Sequence, residues 1–379
     1  MFAAFDHEMM QRAIELAARG RYTNHPNPRV GCVVVQGEKV VGEGFHRKWG
    51  EPHAEPIALN AAGAAARGAT VYVTLEPHSY QGKTPPCTDA LVRAGVARVV
   101  CGALDPNPRV HGKGVRQLTD AGIRVESGLL EAQVRELNLG FEKRMITGMP
   151  RIIVKIAASL DGRVALANGE SRWITGEQAR ADVQRLRAAA SAILTGIDTV
   201  IADDPQLTVR DPQIDTLGRQ PLRVVLDTRG RMSAQARMLC EPGDTLVFAG
   251  AAQTPAAAAL ESAGAKVMAA PLDTLGHVDL AHVLQELGRQ QCNDVLVEAG
   301  STLAGRLIEL GLVDELIVYI APVLLGPQAR PMVQLPQIES LADRVQFSLH
   351  GHVALGGDMK LVFRPPTDPL AHPPAPTRS

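Results

Sequence analysis

Three side chains that can bind zinc occur within residues 51–89, and a carboxylate follows closely after the first of them. His53 is followed two positions later by Glu55, and His78 and Cys87 come further along. Zinc takes nitrogen and sulfur ligands in a tetrahedron, and a catalytic site uses three protein ligands plus water. His53, His78 and Cys87 therefore predict a catalytic zinc site. Glu55 is too close in sequence to His53 to be a convenient fourth ligand, so it is the expected general acid and base.

This division of labour is typical of zinc-dependent nucleobase deaminases, whose signature is His-x-Glu followed by Pro-Cys-x-x-Cys. In this chain the second half differs, because Pro77 is followed by His78, and Cys87 lies nine positions later instead of three. Imidazole is itself a normal zinc ligand. The pattern thus indicates a deaminase, but it leaves open that the first half is a non-catalytic scaffold kept for assembly or binding.

The elements that must position these residues alternate between strands and helices. Apolar runs at residues 30–35 and 71–75 predict buried strands, and His78 lies just beyond the second. His53 opens an alanine-rich helix, and Cys87 begins another. Ligands at helix starts beside strand ends suit a three-layer α/β sandwich, in which ligands gather at the carboxyl ends of strands. A helix over residues 131–145 is expected to close this first domain.

The surrounding motifs resemble those of the bifunctional riboflavin-biosynthesis deaminase/reductase family. They are Glu-Pro-His-Ala-Glu at residues 51–55 and Thr-Leu-Glu-Pro-x-Ser-x-x-Gly-Lys-Thr-Pro-Pro-Cys at residues 74–87. The family pattern reads Glu-Pro-Cys-Ser-His where this chain has Glu-Pro-His-Ser-Tyr at residues 76–80. The resemblance implies a cytidine-deaminase-like α/β/α domain. It also implies that the pyrimidine substrate or its phosphate is contacted by Asn27, His46, Lys83 and Asn107.

The second half of the chain predicts a largely parallel sheet flanked by helices. Strands are expected near residues 151–159, 192–194, 223–226, 245–248, 295–297 and 316–320, and helices near 177–189, 280–287 and 302–310. No Gly-x-Gly-x-x-Gly fingerprint follows a strand. Instead, a strand ending at Glu298 leads through a small-residue turn into a helix, whose free N–H groups can hold a phosphate. Many such turns bind nothing, so this signal alone is weak.

The resemblance continues to about residue 364 and implies a dihydrofolate-reductase-like domain that uses NADPH. Matching motifs are Lys-Ile-Ala-Ala-Ser-Leu-Asp-Gly from Lys155 and Val-Glu-Ala-Gly from Val297. Implied cofactor residues are Ala157, Trp173, Thr199, Asp203, Gly300, Ser301, Thr302, Leu303, Ala304, Gly305 and Arg306. Implied substrate residues are Ser171, Arg187, Leu207, Arg210 and Glu298, with Lys155 near the reacting carbon and Lys155 and Glu298 in catalytic positions. For Ala157, Leu207 and Trp173, core packing is the alternative explanation.

Length and composition fit a two-domain globular enzyme. The 379 residues carry a net charge of −1, which argues against nucleic-acid binding, and neither a secretory signal nor a membrane span is expected. Five scattered cysteines without a Cys-x-x-Cys motif favour a reducing compartment, so a cytoplasmic location is expected. The expected domains are a zinc-dependent deaminase at 1–147 and an NADPH-dependent reductase at 150–364, followed by a disordered proline-rich tail at 365–379.

The implied activities are consecutive steps of riboflavin biosynthesis. Zinc-dependent hydrolytic deamination of 2,5-diamino-6-ribosylamino-pyrimidinone 5′-phosphate precedes NADPH reduction of the ribosyl chain of 5-amino-6-ribosylaminouracil 5′-phosphate. We expect one zinc ion per chain, NADPH, small-molecule partners only, and a homo-oligomer, either a dimer or a tetramer. Two alternatives remain: a reductase with a catalytically impaired deaminase-like scaffold domain, and a nucleic-acid base deaminase carrying an unrelated second domain.

Overall fold

The computed structural model describes residues 2–366. The chain forms two compact units, one ending at Thr147 and the other beginning at Gly148. Most of the tail expected to be disordered, from residue 367 onward, lies outside the described residues. Within residues 2–366, none of the helices combines the length and the apolar composition that a membrane span requires.

The first unit is built on a five-stranded sheet with the order β2-β1-β3-β4-β5. Its strands are β1 (Gly31–Gln36), β2 (Lys39–Phe45), β3 (Thr70–Leu75), β4 (Arg98–Ala103) and β5 (Arg124–Ser127). Strand β1 pairs antiparallel with β2 and β3, whereas β3, β4 and β5 run parallel. Because β1, β3 and β4 are buried almost throughout, both faces of the sheet must be covered.

Helices cover both faces of this sheet. They are α1 (Ala4–Ala18), α2 (Ala54–Ala62), α3 (Cys87–Ala94), α4 (Lys113–Asp120), α5 (Glu131–Leu137) and α6 (Leu139–Thr147). Helices α2, α3 and α4 pack into one core cluster with one face of the sheet, and α1 and α5 pack into another with the opposite face. The predicted three-layer α/β/α arrangement is therefore confirmed.

The single helix expected over residues 131–145 is wrong, because the chain breaks at Asn138 into α5 and α6. The Asn138 amide accepts a hydrogen bond from the Arg29 N–H at 2.8 Å and donates one to the Arg29 carbonyl at 2.9 Å. The Asn138 backbone itself, with φ −127° and ψ 23°, is not helical. The partner lies 109 residues away, so local sequence gave no signal of the break.

The second unit contains a nine-stranded sheet with the order β11-β10-β9-β8-β12-β6-β13-β16-β15. Its strands are β6 (Arg151–Ser159), β8 (Ala192–Gly196), β9 (Leu222–Leu226), β10 (Thr245–Ala249), β11 (Lys266–Ala269), β12 (Asp294–Val297), β13 (Glu315–Ala321), β15 (Ser348–Leu355) and β16 (Asp358–Arg364). All pairs from β11 to β13 are parallel, and β16 and β15 add antiparallel strands at one edge. A separate two-stranded sheet joins β7 (Arg163–Ala165) and β14 (Arg330–Pro331). The predicted largely parallel sheet is confirmed.

Helices flank this sheet as well: α7 (Glu177–Ala189), α8 (Ile197–Asp203), α9 (Pro255–Ser262), α10 (Leu280–Arg289) and α11 (Ser301–Glu309). Helices α10 and α11 belong to one core cluster, and α7, α8 and α9 belong to the clusters of the other side. Strand β12 pairs parallel with both β6 and β8, so the carboxyl ends of all three strands share one edge. Ligand sites of open parallel sheets form at such an edge.

Candidate active sites

His53, His78 and Cys87 converge in the first unit, and their potential ligand atoms all lie within 4.8 Å of one another. His53 precedes α2 as its N-cap residue, Cys87 is the first residue of α3, and His78 follows β3. Cys87 Sγ is 3.5 Å from His53 Nδ1, and the two imidazole centroids are 4.6 Å apart. Two helix starts and one strand end thus bring the predicted ligands together.

This cluster fits a zinc ion. The Nδ1 atom of His78 is buried without a hydrogen-bond partner, which is unusual for a buried polar atom. Burial lowers the pKa of His53 to about 3, assisted by His78 and His46, and burial also lowers the pKa of His78. Both imidazoles are therefore neutral at pH 7, the form that ligates metals. Two neutral imidazoles and one cysteine sulfur form a donor set that zinc prefers.

Burial favours the neutral forms of the acidic groups in this cluster. Burial raises the pKa of the Cys87 thiol well above its ordinary range. A bound metal cation would reverse this effect, because a coordinating thiol is deprotonated. Glu55, in the first turn of α2, is 3% exposed and shares a hydrogen bond with Cys87. Burial raises the pKa of Glu55 to about 7, the range that suits a general base at neutral pH.

Asn27 and His46 lie beside this cluster. The Asn27 amide nitrogen is 3.0 Å from His46 Nε2, and His46 Nδ1 donates to the Pro52 carbonyl at 3.2 Å. The His46 ring centroid is 5.0 Å from that of His53. A cavity of about 530 Å³, lined in part by His53 and Cys87, opens in the same unit. Its other lining residues include Asn60 of α2 and Arg93 of α3, and Asn27 and His46 are not among them.

Lys83 and Asn107 contact residues other than the three metal donors. Lys83 Nζ lies 3.4 Å from the centroid of the Trp49 ring, an arrangement that favours a cation–π interaction. The Asn107 side chain accepts a hydrogen bond from the Arg109 N–H at 3.0 Å, within the loop after β4. Sequence reasoning missed Trp49, because no spacing rule signals a contact between residues 34 positions apart.

Tyr80 stands where the family pattern has histidine. Its ring packs edge-on against His78, with 5.6 Å between centroids. On another side, the guanidinium carbon of Arg109 lies 5.8 Å from the Tyr80 centroid. Tyr80 therefore links the metal cluster to the loop that carries Arg109, a contact that the sequence did not reveal.

In the second unit, Arg187 and Glu298 form a buried ion pair. Arg187 Nε and Nη2 donate to the two carboxylate oxygens at 2.6 and 3.0 Å, and the side chains are 12% and 10% exposed. Lys155 Nζ is 4.0 Å from Glu298 Oε2. Burial alone would raise the pKa of Glu298, but Arg187 and then Lys155 outweigh it and hold that pKa below its ordinary value. The carboxylate is thus ionised, while burial lowers the pKa of Lys155.

Thr208 connects this pair to a second guanidinium. Its carbonyl accepts from Arg187 Nη1 at 3.2 Å, and its hydroxyl accepts from Arg210 Nη1 at 3.4 Å. Burial and the charge of Arg187 lower the pKa of Arg210. Lys155, Arg187 and Arg210 are three positive groups against the two carboxylates of Glu298 and Glu241, so the site attracts anions. Thr208 was not among the predicted site residues.

The remaining predicted residues of this unit have varied surroundings. Leu207 is 3% exposed and belongs to a core cluster, and Ala157 packs against another. Trp173 is 71% exposed, so core packing does not explain it. The guanidinium carbon of Arg180 lies 4.8 Å from its ring centroid. Ser171 and Thr199 are both half-buried. The backbone carbonyl of Asp203 accepts a hydrogen bond from Arg172 Nη2 at 2.6 Å.

The segment from Gly300 to Arg306 divides into an open and a packed part. Gly300, the N-cap of α11, has no atom within 4 Å of an added Cβ, and no side chain caps the N–H groups of the first turn. An added Cβ at Gly305 would lie 1.9 Å from the Gln334 carbonyl oxygen, so packing requires glycine there. Leu303 and Ala304 pack in the core. Arg306 pairs with Glu309, and the Thr302 hydroxyl donates to the Gln334 side chain.

The sequence matches two protein families. Residues 3–103 match the cytidine and deoxycytidylate deaminase zinc-binding region, and residues 150–361 match the RibD C-terminal domain. Fold, metal cluster and family matches define a zinc-binding deaminase joined to a reductase. The riboflavin biosynthesis protein RibD of Escherichia coli is 50% identical over 365 residues, 94% of this chain and 98% of that protein. The chain belongs to the RibD family and is a bifunctional deaminase and reductase of riboflavin biosynthesis.

Solved structures agree with this assignment. Acinetobacter baumannii RibD superimposes with a TM-score of 0.89 at 48% identity, covering 96% of this chain and 99% of that one. A Thermotoga maritima diaminohydroxyphosphoribosylaminopyrimidine deaminase/5-amino-6-(5-phosphoribosylamino)uracil reductase gives a TM-score of 0.83 at 33% identity, covering 95% and 99%. The bifunctional prediction is confirmed, and neither the scaffold alternative nor the nucleic-acid deaminase alternative is favoured.

Proposed function

We propose that the first unit deaminates 2,5-diamino-6-ribosylamino-pyrimidinone 5′-phosphate. The second unit then reduces the ribosyl chain of 5-amino-6-ribosylaminouracil 5′-phosphate to a ribityl chain, with NADPH as reductant. The observation that carries the first assignment is the buried Glu55 carboxyl in the first turn of α2, two positions after His53, in a unit where three metal donors lie within 4.8 Å of one another. The name of the Thermotoga maritima relative supports the choice of substrates.

In the deaminase site, His53, His78 and Cys87 would hold one zinc ion per chain. Bound zinc supplies Lewis acidity that makes water a competent nucleophile near neutral pH. Glu55 takes the proton from the attacking water and passes it to the pyrimidine ring nitrogen, and a further proton leaves with the ammonia. Its pKa of about 7 allows it to accept and release protons at physiological pH.

Four residues are proposed to hold the pyrimidine or its phosphate: Asn27, His46, Lys83 and Asn107. His46 is positioned for this by its Pro52 contact and supports the Asn27 amide at 3.0 Å. Lys83 would bring positive charge to the phosphate from its position over the Trp49 ring. Asn107 would act from the loop after β4, where its own side chain stabilises the turn.

In the reductase site, NADPH would supply hydride to the ribose carbon that carries the amine. Its phosphates would bind the uncapped N–H groups at Gly300, Ser301 and Thr302, where the start of α11 is open. Ala304 and Gly305 allow the close packing of that helix, and Leu303 and Arg306 complete the segment. Further proposed cofactor contacts come from Ala157, Trp173, Thr199 and Asp203.

The sugar phosphate would bind the cationic surface around Glu298. Among residues 2–366, the Arg210 guanidinium makes one long hydrogen bond, to the Thr208 hydroxyl at 3.4 Å, so it retains donors for a phosphate. Arg187 holds Glu298 in place, and Lys155 lies beside this pair near the reacting carbon. Ser171 and Leu207 would complete the substrate pocket.

Two further proposals concern assembly and location. We infer that the chain forms a homo-oligomer, a dimer or a tetramer, which fits the exposed Leu349 and Val353 on β15. Light scattering at micromolar concentration tests this, and a monomeric mass would contradict it. A cytoplasmic location fits five scattered cysteines without a Cys-x-x-Cys motif, and fractionation of the source cells would check it.

The proposed function is tested by supplying the diamino substrate to the purified chain and following two signals. Ammonia release reports the first reaction, and loss of NADPH absorbance reports the second. We expect both signals, with NADPH consumption starting only after ammonia appears. With the deaminated intermediate as substrate, NADPH consumption should need no lag. Ammonia release without any NADPH consumption would refute the reductase assignment, and the reverse result would refute the deaminase assignment.

A further inference from the structure

Glu76 is a buried carboxylate that binds the loop after β4. It follows β3 directly and is 3% exposed. Glu76 Oε2 accepts hydrogen bonds from the N–H groups of Asp105 at 3.2 Å and Gly112 at 2.9 Å. Glu76 Oε1 accepts from the N–H of Val115 at 3.1 Å, in the first turn of α4. One side chain therefore fixes both ends of the loop formed by residues 105–112.

Other contacts join this loop to the same strand end. His111 Nδ1 donates to the Asp105 carbonyl at 3.0 Å and closes the loop on itself. Gly114 lies so close to Pro77 that an added Cβ would be 2.1 Å from the Pro77 carbonyl oxygen. A negative charge at the amino end of α4 is also favoured by the helix dipole. Hydrogen bonds and close packing thus tie the 105–112 loop and the start of α4 to residues 76–77.

The loop is connected to the metal cluster through Tyr80. It carries Asn107 and Arg109, and Arg109 lies against Tyr80, whose ring contacts His78. His78 comes two positions after Glu76 in the chain. The position of the loop tip relative to the metal donors is therefore set by residues 76–78 at one end and by Tyr80 at the other.

We propose that Glu76 is a positioning residue of the deaminase, which holds the 105–112 loop so that Asn107 and Arg109 face the substrate. This inference rests on the proposed deaminase function. Within the described residues, the hydrogen bonds of the Glu76 carboxylate go to backbone N–H groups of this segment. Its loss should therefore weaken substrate binding and leave the chemical step and the metal ligands in place.

Glu76→Gln is the most informative substitution. The amide has the same shape, but its NH₂ group would face a backbone N–H that now donates to a carboxylate oxygen. A buried N–H left without an acceptor is strongly unfavourable, and we expect the KM of deamination to rise by about tenfold. The change in kcat should stay within about threefold, since Glu55 and the three metal donors are not altered.

Two other variants accompany it. Asp120→Asn removes an exposed carboxylate from α4, the helix that follows the 105–112 loop, and serves as the matched control. His111→Ala opens the same loop from its exposed side without disturbing the buried carboxylate, so it decides the matter if Glu76→Gln does not fold. For each variant, deamination kinetics, zinc content, reduction of the deaminated intermediate, and hydrogen exchange of the peptide covering residues 105–115 are measured.

Glu76→Gln and His111→Ala should raise KM and speed exchange of this peptide, with stoichiometric zinc and unchanged reductase activity. Asp120→Asn should match the wild-type chain. Unchanged KM in a folded Glu76→Gln variant, or a fall in kcat and zinc content at constant KM, overturns the inference. A wild-type chain that releases no ammonia contradicts the proposed function instead. In that case hydrogen exchange of the 105–115 peptide still tests the role of Glu76, and equal exchange in the wild-type chain and the variants overturns it.

Discussion

Replacing Arg187 by methionine should strongly destabilise the second unit. The substitution removes both charge-assisted hydrogen bonds to Glu298, at 2.6 and 3.0 Å, and leaves a carboxylate of 10% exposure without its main partner. Removing one member of a buried ion pair typically costs about 3–5 kcal/mol. Lys155 remains 4.0 Å from Glu298 Oε2, so we expect a loss near the lower end, about 3 kcal/mol.

The loss should depend on pH. In the wild-type chain the pKa of Glu298 is held below its ordinary value, so the stabilising pair is present above the unfolded pKa and is lost as pH falls. In the variant, Arg187 no longer opposes the effect of burial on Glu298. The pKa of Glu298 in the folded variant should therefore rise above the unfolded value of about 4.3. On acidification, Glu298 of the variant takes up a proton, and the cost of burying its unpaired charge is removed. The difference between the two chains should therefore shrink as the pH falls from neutral toward the unfolded pKa of Glu298.

Native-state hydrogen exchange measures this prediction, with peptides from β6 and β12 as reporters and peptides from the first unit as an internal standard. The matched control is Arg185→Met on the same helix. Arg185 is 53% exposed and 4.0 Å from Asp182, so its loss should have little effect. If Arg187→Met destabilises β6 and β12 no more than Arg185→Met does, the buried-pair reasoning is refuted.

Three further predictions address the two sites. His78→Ala should lower the zinc content of chelator-free protein, because the buried Nδ1 donor is lost, and unchanged occupancy by elemental analysis would exclude His78 as a ligand. Arg210→Lys should raise the KM for the phosphorylated substrate and leave NADPH affinity unchanged, since lysine lacks bidentate geometry; lost NADPH binding with intact substrate affinity would contradict this. The chain expressed from Pro150 onward should bind NADPH and reduce the deaminated intermediate, and an unfolded product would disprove its independence.

The sequence predicted those features that depend on local pattern and donor chemistry. The three metal donors His53, His78 and Cys87 were recognisable from their residue types and order, together with the Glu55 carboxylate close to the first of them. Apolar runs alternating with helical segments were sufficient to predict a largely parallel second sheet. Strands β15 and β16 were not anticipated, since β15 is mostly exposed and lacks an apolar run.

Contacts between residues distant in sequence were beyond reach of the pattern. Arg187 and Glu298 are 111 positions apart, and Glu76 binds N–H groups 29 to 39 positions away. Such pairs depend on the register and packing of whole elements, which single-residue types do not encode. The exposure of Trp173 shows the same limit, because an isolated tryptophan is equally consistent with a core position and with a ligand surface.

The most direct test of the deaminase mechanism is the rate of ammonia release by a zinc-loaded Glu55→Gln variant. The amide keeps the shape of the buried side chain but cannot carry a proton between water and the substrate. General acid–base catalysis contributes about 10²–10⁴-fold, so ammonia release should fall by that factor. Zinc content and NADPH-dependent reduction of the deaminated intermediate, measured on the same sample, should stay at wild-type levels. Ammonia release at the wild-type rate would contradict the assignment of Glu55 as the proton carrier.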